Sequence, residues 1–184
     1  MNFLSLDTIV VKPDSGERPQ NAVVLLHGYG GSGKDISVLA NYWKRFLPST
    51  IFLCPNGPEE CSINPLGYQW FDLSEQREDS IIKKSTETEL NFNKYLKEIK
   101  EMYELSDQQI CLSGFSQGCM LALNVALKSE NKINCLVGFS GKIISKKNLI
   151  NQIKSKPKIF LFHGDRDTIV PLNNLLETKA FFSQ

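Results

Sequence analysis

The chain has 184 residues, 41% of them hydrophobic and 22% charged, with a formal net charge of +1. That is enough for one domain with a substantial core and too short for two comfortable ones. The near-neutral balance, without a dense Lys/Arg stripe, excludes the electrostatic footprint of nucleic-acid binding, and no apolar run reaches membrane-spanning length.

The opening MNFLSLDTIVV alternates like a strand. It lacks a basic leader and meets Asp7 too early for a secretory signal, so the expected location is the cytoplasm. The turn-rich KPDSGERPQ then predicts a hairpin into NAVVLLH, a strand apolar on both faces and hence buried between helices. Residues 34–47 place Ile36, Leu39, Ala40, Trp43, Phe46 and Leu47 at helical spacing, with Pro48 as the stop. STIFLCP is the next buried strand. A long excursion from 56 to 79, containing YQWFDL, is of a length usually functional or mobile. An amphipathic helix over about 79–105 follows, then the strand QQICLS, the apolar helix SQGCMLALNVALKS and the strand INCLVGFS. A basic helix at about 146–154, the strand KPKIFLFHG and the helix PLNNLLETKAFFSQ close the chain. The lysines of SKKNLINQIKSKPK read as a solvated helix face. This alternation, without repeats or linkers, predicts a single α/β domain over 1–184 around a mainly parallel sheet. The five cysteines include no C-x-x-C pair. Their odd number fits a reducing compartment rather than a disulfide framework or a zinc site.

The stretch HGYGGSGKD, His27 to Asp35, supports three readings. As a phosphate loop, Gly28 to Lys34 lacks the Ser or Thr that should follow the lysine to hold magnesium; Asp35 stands there. As a dinucleotide fingerprint, Gly28, Gly30 and Gly33 lack an acid about twenty residues on to hold a ribose. As the oxyanion turn of a serine hydrolase, it requires partners far along the chain. Two are present. Gly114, Ser116 and Gly118 spell G-x-S-x-G between a strand and an apolar helix, which raises the Ser116 hydroxyl off the sheet and leaves the Gln117 amide at a helix N-terminus. Ser116 as an ordinary N-cap is the plain alternative. HGDRDTIVP then follows a buried strand, where the acid of a Ser–Asp–His order belongs. Asp167 is the choice for that acid and Asp165 for bonding loop amides, against the alternative that both satisfy turn amides.

With Ser116 and Asp167 placed, the sequence resembles the phospholipase/carboxylesterase family of small α/β-hydrolases, the group that includes acyl-protein thioesterases. LLHGYGGSGKD, CPNGPEE, QWFDL, GFSQGC and FHGDRDTIVP carry the likeness, in that order. The resemblance implies an α/β-hydrolase sheet and hydrolysis of small acyl esters or thioesters through serine, without cofactor or metal. It implies oxyanion amides from Tyr29 and Gln117. It also implies an acyl-pocket role for Trp70, whose alternative is an aromatic core plug.

The family also needs a histidine after the aspartate, and none follows Asp167; the chain has only two histidines. His27 and His163 each close a strand, so neither is expected to serve as the base. The expectation is a C-terminally incomplete hydrolase lacking the last strand and the histidine loop. It should be severely impaired, with an open sheet edge that invites borrowed pairing or a homodimer. A non-catalytic acyl-binding protein and a nucleotide-binding protein using Gly28 to Lys34 are the competing functions.

Overall fold

The computed structural model describes residues 4–75 and 77–183. Its strands are β1 (Thr8–Val11), β2 (Asn21–Leu26), β3 (Thr50–Pro55), β4 (Glu59–Cys61), β5 (Asn64–Gln69), β6 (Ile110–Phe115), β7 (Cys135–Phe139) and β8 (Lys158–Phe162). Its helices are α1 (Gly33–Trp43), α2 (Glu78–Tyr103), α3 (Gln117–Lys128), α4 (Lys146–Leu149) and α5 (Asn173–Phe182). Six strands form one sheet in the order β1-β3-β2-β6-β7-β8. Every pairing in it is parallel except β1 with β3. β2 and β3 are buried on both faces, as their unbroken apolar runs require. On one face α1 covers Val23, Leu25, Phe52 and Cys54. The larger core on the other face is built from α2 and α3 against Val24, Leu26, Leu53 and Leu112.

Three local expectations need correction. β1 does not form a hairpin with β2; it pairs antiparallel with β3. Both edges of β2 are taken by β3 and β6, so β1 joins the sheet at the outer edge of β3. The basic segment at 146–154 is not one helix. α4 spans a single turn, capped by Ser145, and passes into a 3-10 turn at Ile150–Gln152. The excursion after β3 carries its own antiparallel hairpin, β4–β5, bridged to the glycine turn by Gly31 and Tyr68.

The other side of β8 has no strand partner among the described residues. Its α1-side face carries Phe160 and Phe162, 50% and 55% exposed, and Phe162 lines an open apolar groove.

Candidate active site

The turn from β6 into α3 is strained where the sequence pattern places the nucleophile. Ser116 has φ 50° and ψ −114°, a conformation that costs a non-glycine residue on the order of 1–3 kcal/mol. Its side chain makes no capping hydrogen bond, which sets aside the ordinary N-cap reading. The residue is half-buried, not packed beneath the helix. Both flanking glycines are sterically required. A Cβ on Gly114 would lie 2.4 Å from the Gly118 carbonyl carbon, and one on Gly118 would lie 2.4 Å from the Leu26 oxygen. The Ser116 N–H donates to Phe139 O at 2.8 Å, tying the elbow to the end of β7.

The glycine turn after β2 closes against this elbow. A Cβ on Gly28 would come within 2.9 Å of the Phe115 ring and 3.5 Å of Ser116 Cβ. Among the described residues, the backbone amides of Tyr29 and Gln117 take no part in turn or loop hydrogen bonds. One belongs to the glycine turn and the other opens α3. Ser32 accepts from the Asp35 N–H at 3.2 Å and donates to the Asp35 carboxylate at 2.7 Å. The position where a phosphate loop needs its magnesium-binding hydroxyl is thus occupied by a carboxylate engaged in capping α1.

Trp70, expected to line the acyl pocket, has no exposed surface and lies beneath the turn. Its Nε1–H donates to His27 O at 2.9 Å. Its own N–H donates to Gln117 Oε1 at 2.9 Å, and its carbonyl accepts from the Thr88 hydroxyl at 2.6 Å. Gln117 Nε2 donates to Phe71 O at 2.6 Å. One indole and one amide side chain therefore clamp the glycine turn and the start of α3 in fixed relation. Sequence reasoning missed this role of the Gln117 side chain. The available signal was a polar residue at the mouth of an otherwise apolar helix, which must find partners once buried.

His27 is buried and neutral. Its Nδ1–H donates to Gly28 O at 2.7 Å, which leaves Nε2 to accept from the Gly57 N–H at 2.9 Å. Burial lowers its pKa from the ordinary 6.5. The stability contributed by the neutral ring is complete above about pH 6.5 and is lost as pH falls through the depressed folded value. Urea unfolding should therefore show stability declining below pH 6.5, by up to about 1.4 kcal/mol per pH unit from this group. In His27→Gln, less stable overall, that part of the decline should vanish; an unchanged slope would contradict the assignment.

Asp167 follows β8. Its Oδ1 accepts from the Ile169 and Val170 amides at 3.0 and 2.9 Å. The Val170 amide, then the Ser140 hydroxyl, hold the carboxyl below the usual carboxylate range. Asp165, expected to bond the loop amides, is exposed, and Asp167 makes those bonds itself. Ser140, another contributor missed in the sequence, has φ 47° at the end of β7. The His163 Nε2–H donates to Val170 O at 2.6 Å and lies 3.7 Å from Asp167 Oδ2, while Nδ1 is buried without a partner. Both histidines are thus held by backbone groups, His27 by Gly28 and Gly57 and His163 by Val170. Ser116 and Asp167 leave the carboxyl ends of β6 and β8 with β7 between them. At about 4.8 Å per strand, the two strand ends lie roughly 10 Å apart, a gap of the size an imidazole bridges.

Beside the elbow opens a cavity of about 960 Å³. Its walls include Tyr29, Leu39, Trp43, Phe115, Phe139 and Phe162. The aromatic indole on this cavity is Trp43, from α1, not Trp70. Such a site, mostly apolar with a few convergent polar groups, suits a small acyl substrate.

Residues 7–184 match the phospholipase/carboxylesterase family. Acyl-protein thioesterase 1 of Saccharomyces cerevisiae is 31% identical over 177 residues, covering 89% of this chain and 77% of the yeast protein. The crystal structure of esterase PE8 superposes with a TM-score of 0.91 at 33% identity, over 97% of this chain and 83% of that one. The Bacillus cereus carboxylesterase shares the fold, with a TM-score of 0.78 at 18% identity over 97% and 80% of the two chains. An α/β-hydrolase sheet, a strained serine elbow and a facing glycine turn are joined here to a match over nearly the whole chain, which therefore belongs to the phospholipase/carboxylesterase family of ester hydrolases.

Proposed function

We propose that the chain cleaves carboxylic esters or thioesters by acyl transfer through Ser116. The observation that carries the reading is the positive φ of Ser116 directly against Gly28. In this mechanism the acyl group lies in the cavity walled by Trp43 and Phe115. Ser116 Oγ attacks the carbonyl carbon, and the developing oxyanion is received by the Tyr29 and Gln117 amides, preorganised by the Trp70 clamp. Collapse of the tetrahedral species expels the alcohol or thiol and leaves an acyl-serine, which water then hydrolyses. Asp167 is the acid that orients a histidine base and stabilises its charged form. His27 spends both ring nitrogens on backbone groups, and the His163 side chain is buried and tied to Val170 O, so neither is placed as that base and the 184-residue chain by itself acts slowly. Loss of the histidine in a serine hydrolase costs about 2 × 10⁶ in kcat, leaving on the order of 10³–10⁴ over water from binding and the oxyanion site.

A fluorophosphonate probe tests the reading, since it forms an O–P bond with an activated serine and releases fluoride. Slow labelling mapped to Ser116 and absent in Ser116→Ala is expected. Acyl chains bound in the cavity with no Ser116 adduct after prolonged exposure would instead favour a non-catalytic acyl-binding protein.

A further inference from the structure

A pair of free cysteines lies on the sheet, away from the elbow. The register aligns Val23 with Cys111, Cys111 with Cys135, and Cys135 with Lys158 across four neighbouring parallel strands. Directly paired residues on adjacent strands project to the same face, and adjacent strands lie about 4.8 Å apart. That spacing falls inside the roughly 4.4–6.8 Å Cα window of a disulfide. Both thiols line one cavity of about 520 Å³ at the far end of the groove. Both are half-buried, whereas Cys54, Cys61 and Cys119 are buried. The two sulfurs are also unlike. The neighbouring Cys111 sulfhydryl, aided by the Lys158 ammonium, brings the Cys135 thiol down to about 7, while the same contact and burial push Cys111 up. Cys135, beside Lys158, is thus the readier of the two to ionise and Cys111 the slower, the division of labour between an attacking and a resolving thiol.

We propose that Cys111 and Cys135 form a peroxide-reactive dithiol that closes reversibly into a cross-strand disulfide, with Cys135 attacking and Cys111 resolving. The Cys135 thiolate attacks one oxygen of hydrogen peroxide. The O–O bond breaks, hydroxide leaves and is protonated by solvent, and Cys135 becomes a sulfenic acid. Cys111 sulfur then attacks Cys135 sulfur, the S–O bond breaks, and the hydroxyl leaves as water with the Cys111 proton. The two thiols give up two electrons, and peroxide is reduced to two waters. An external dithiol reverses the link by exchange. The pair is independent of the ester chemistry assigned to Ser116, so either can fail without the other.

The test is peptide mapping of the full chain after brief peroxide treatment and alkylation. The expected product has lost two hydrogen masses, carries a Cys111–Cys135 link and recovers both thiols with dithiothreitol. Before oxidation, Cys135 should alkylate roughly tenfold or more faster than Cys111. Cys111→Ser should stop at a dimedone-trapped sulfenic acid on Cys135, and Cys135→Ser should remove the reaction. Should a serine variant not fold, the wild-type map decides alone, because it reads the link directly. Both thiols still alkylatable after peroxide, a link through Cys54, Cys61 or Cys119, or a sulfenic acid trapped on Cys111 in Cys135→Ser each overturns the proposal.

Discussion

Free imidazole should accelerate hydrolysis of an activated aryl ester by this chain roughly 10²-fold, at the lower end of what a positioned general base supplies. The effect should saturate and should require Ser116. The expectation follows from the roughly 10 Å gap between the ends of β6 and β8 and from the engagement of both resident histidines with backbone groups of Gly28, Gly57 and Val170. A serine without a base contributes almost nothing beyond the oxyanion site, because nucleophile and base act as a unit and their losses do not add. Without imidazole, Ser116→Ala should therefore change the slow rate by less than about tenfold. With imidazole it should remove the acceleration altogether. Saturable rescue that persists in Ser116→Ala would place the base chemistry elsewhere; Ser116-dependent turnover at ordinary esterase rates without imidazole would show that a resident group already serves.

Gly118→Ala is expected to be strongly destabilising. Its new methyl carbon would meet Leu26 O at 2.4 Å and His27 O at 2.6 Å. Both are backbone atoms, one ending the central strand and one held by the Trp70 indole, so neither can yield without disturbing the site. A loss of about 3 kcal/mol or more is expected, beyond the common range for point substitutions. Gly164→Ala is the matched control: a methyl there meets nothing nearer than 4.0 Å, and its effect should stay within about 0.5 kcal/mol. Urea midpoints of the two variants at constant m-value make the comparison.

The parts of the fold legible in the sequence are those where one physical demand dominates. β2 and β3 are unbroken apolar runs, and α3 is apolar around its circumference, so their burial between layers follows from composition. The elbow is legible because a strained serine needs a glycine two residues away on each side, and that spacing survives any change elsewhere. The partner of β1 was not legible, because sequence proximity favours a hairpin while the sheet order is decided by which edge of β2 remains free. The β4–β5 hairpin is built from polar EEC and NPLGYQ, and its position is set by tertiary bonds to Gly30 and Gly31 rather than by propensity. The family resemblance points Trp70 at the cavity; its depth follows from three hydrogen-bond partners drawn from distant segments. Asp165 and Asp167 are equivalent in one dimension and are distinguished only by which carboxylate the turn folds back upon. The Cys111–Cys135 pairing depends on strand register between segments joined by a helix, which no local pattern encodes.

Whether the Ser116 oxygen faces two preorganised backbone donors across the glycine turn is read directly from the structure of the fluorophosphonate adduct. The phosphoryl oxygen should lie about 2.7–3.1 Å from both the Tyr29 and Gln117 nitrogens, with the alkyl group against Trp43 and Phe115. An adduct oxygen turned to solvent, or bound by neither amide, would contradict it.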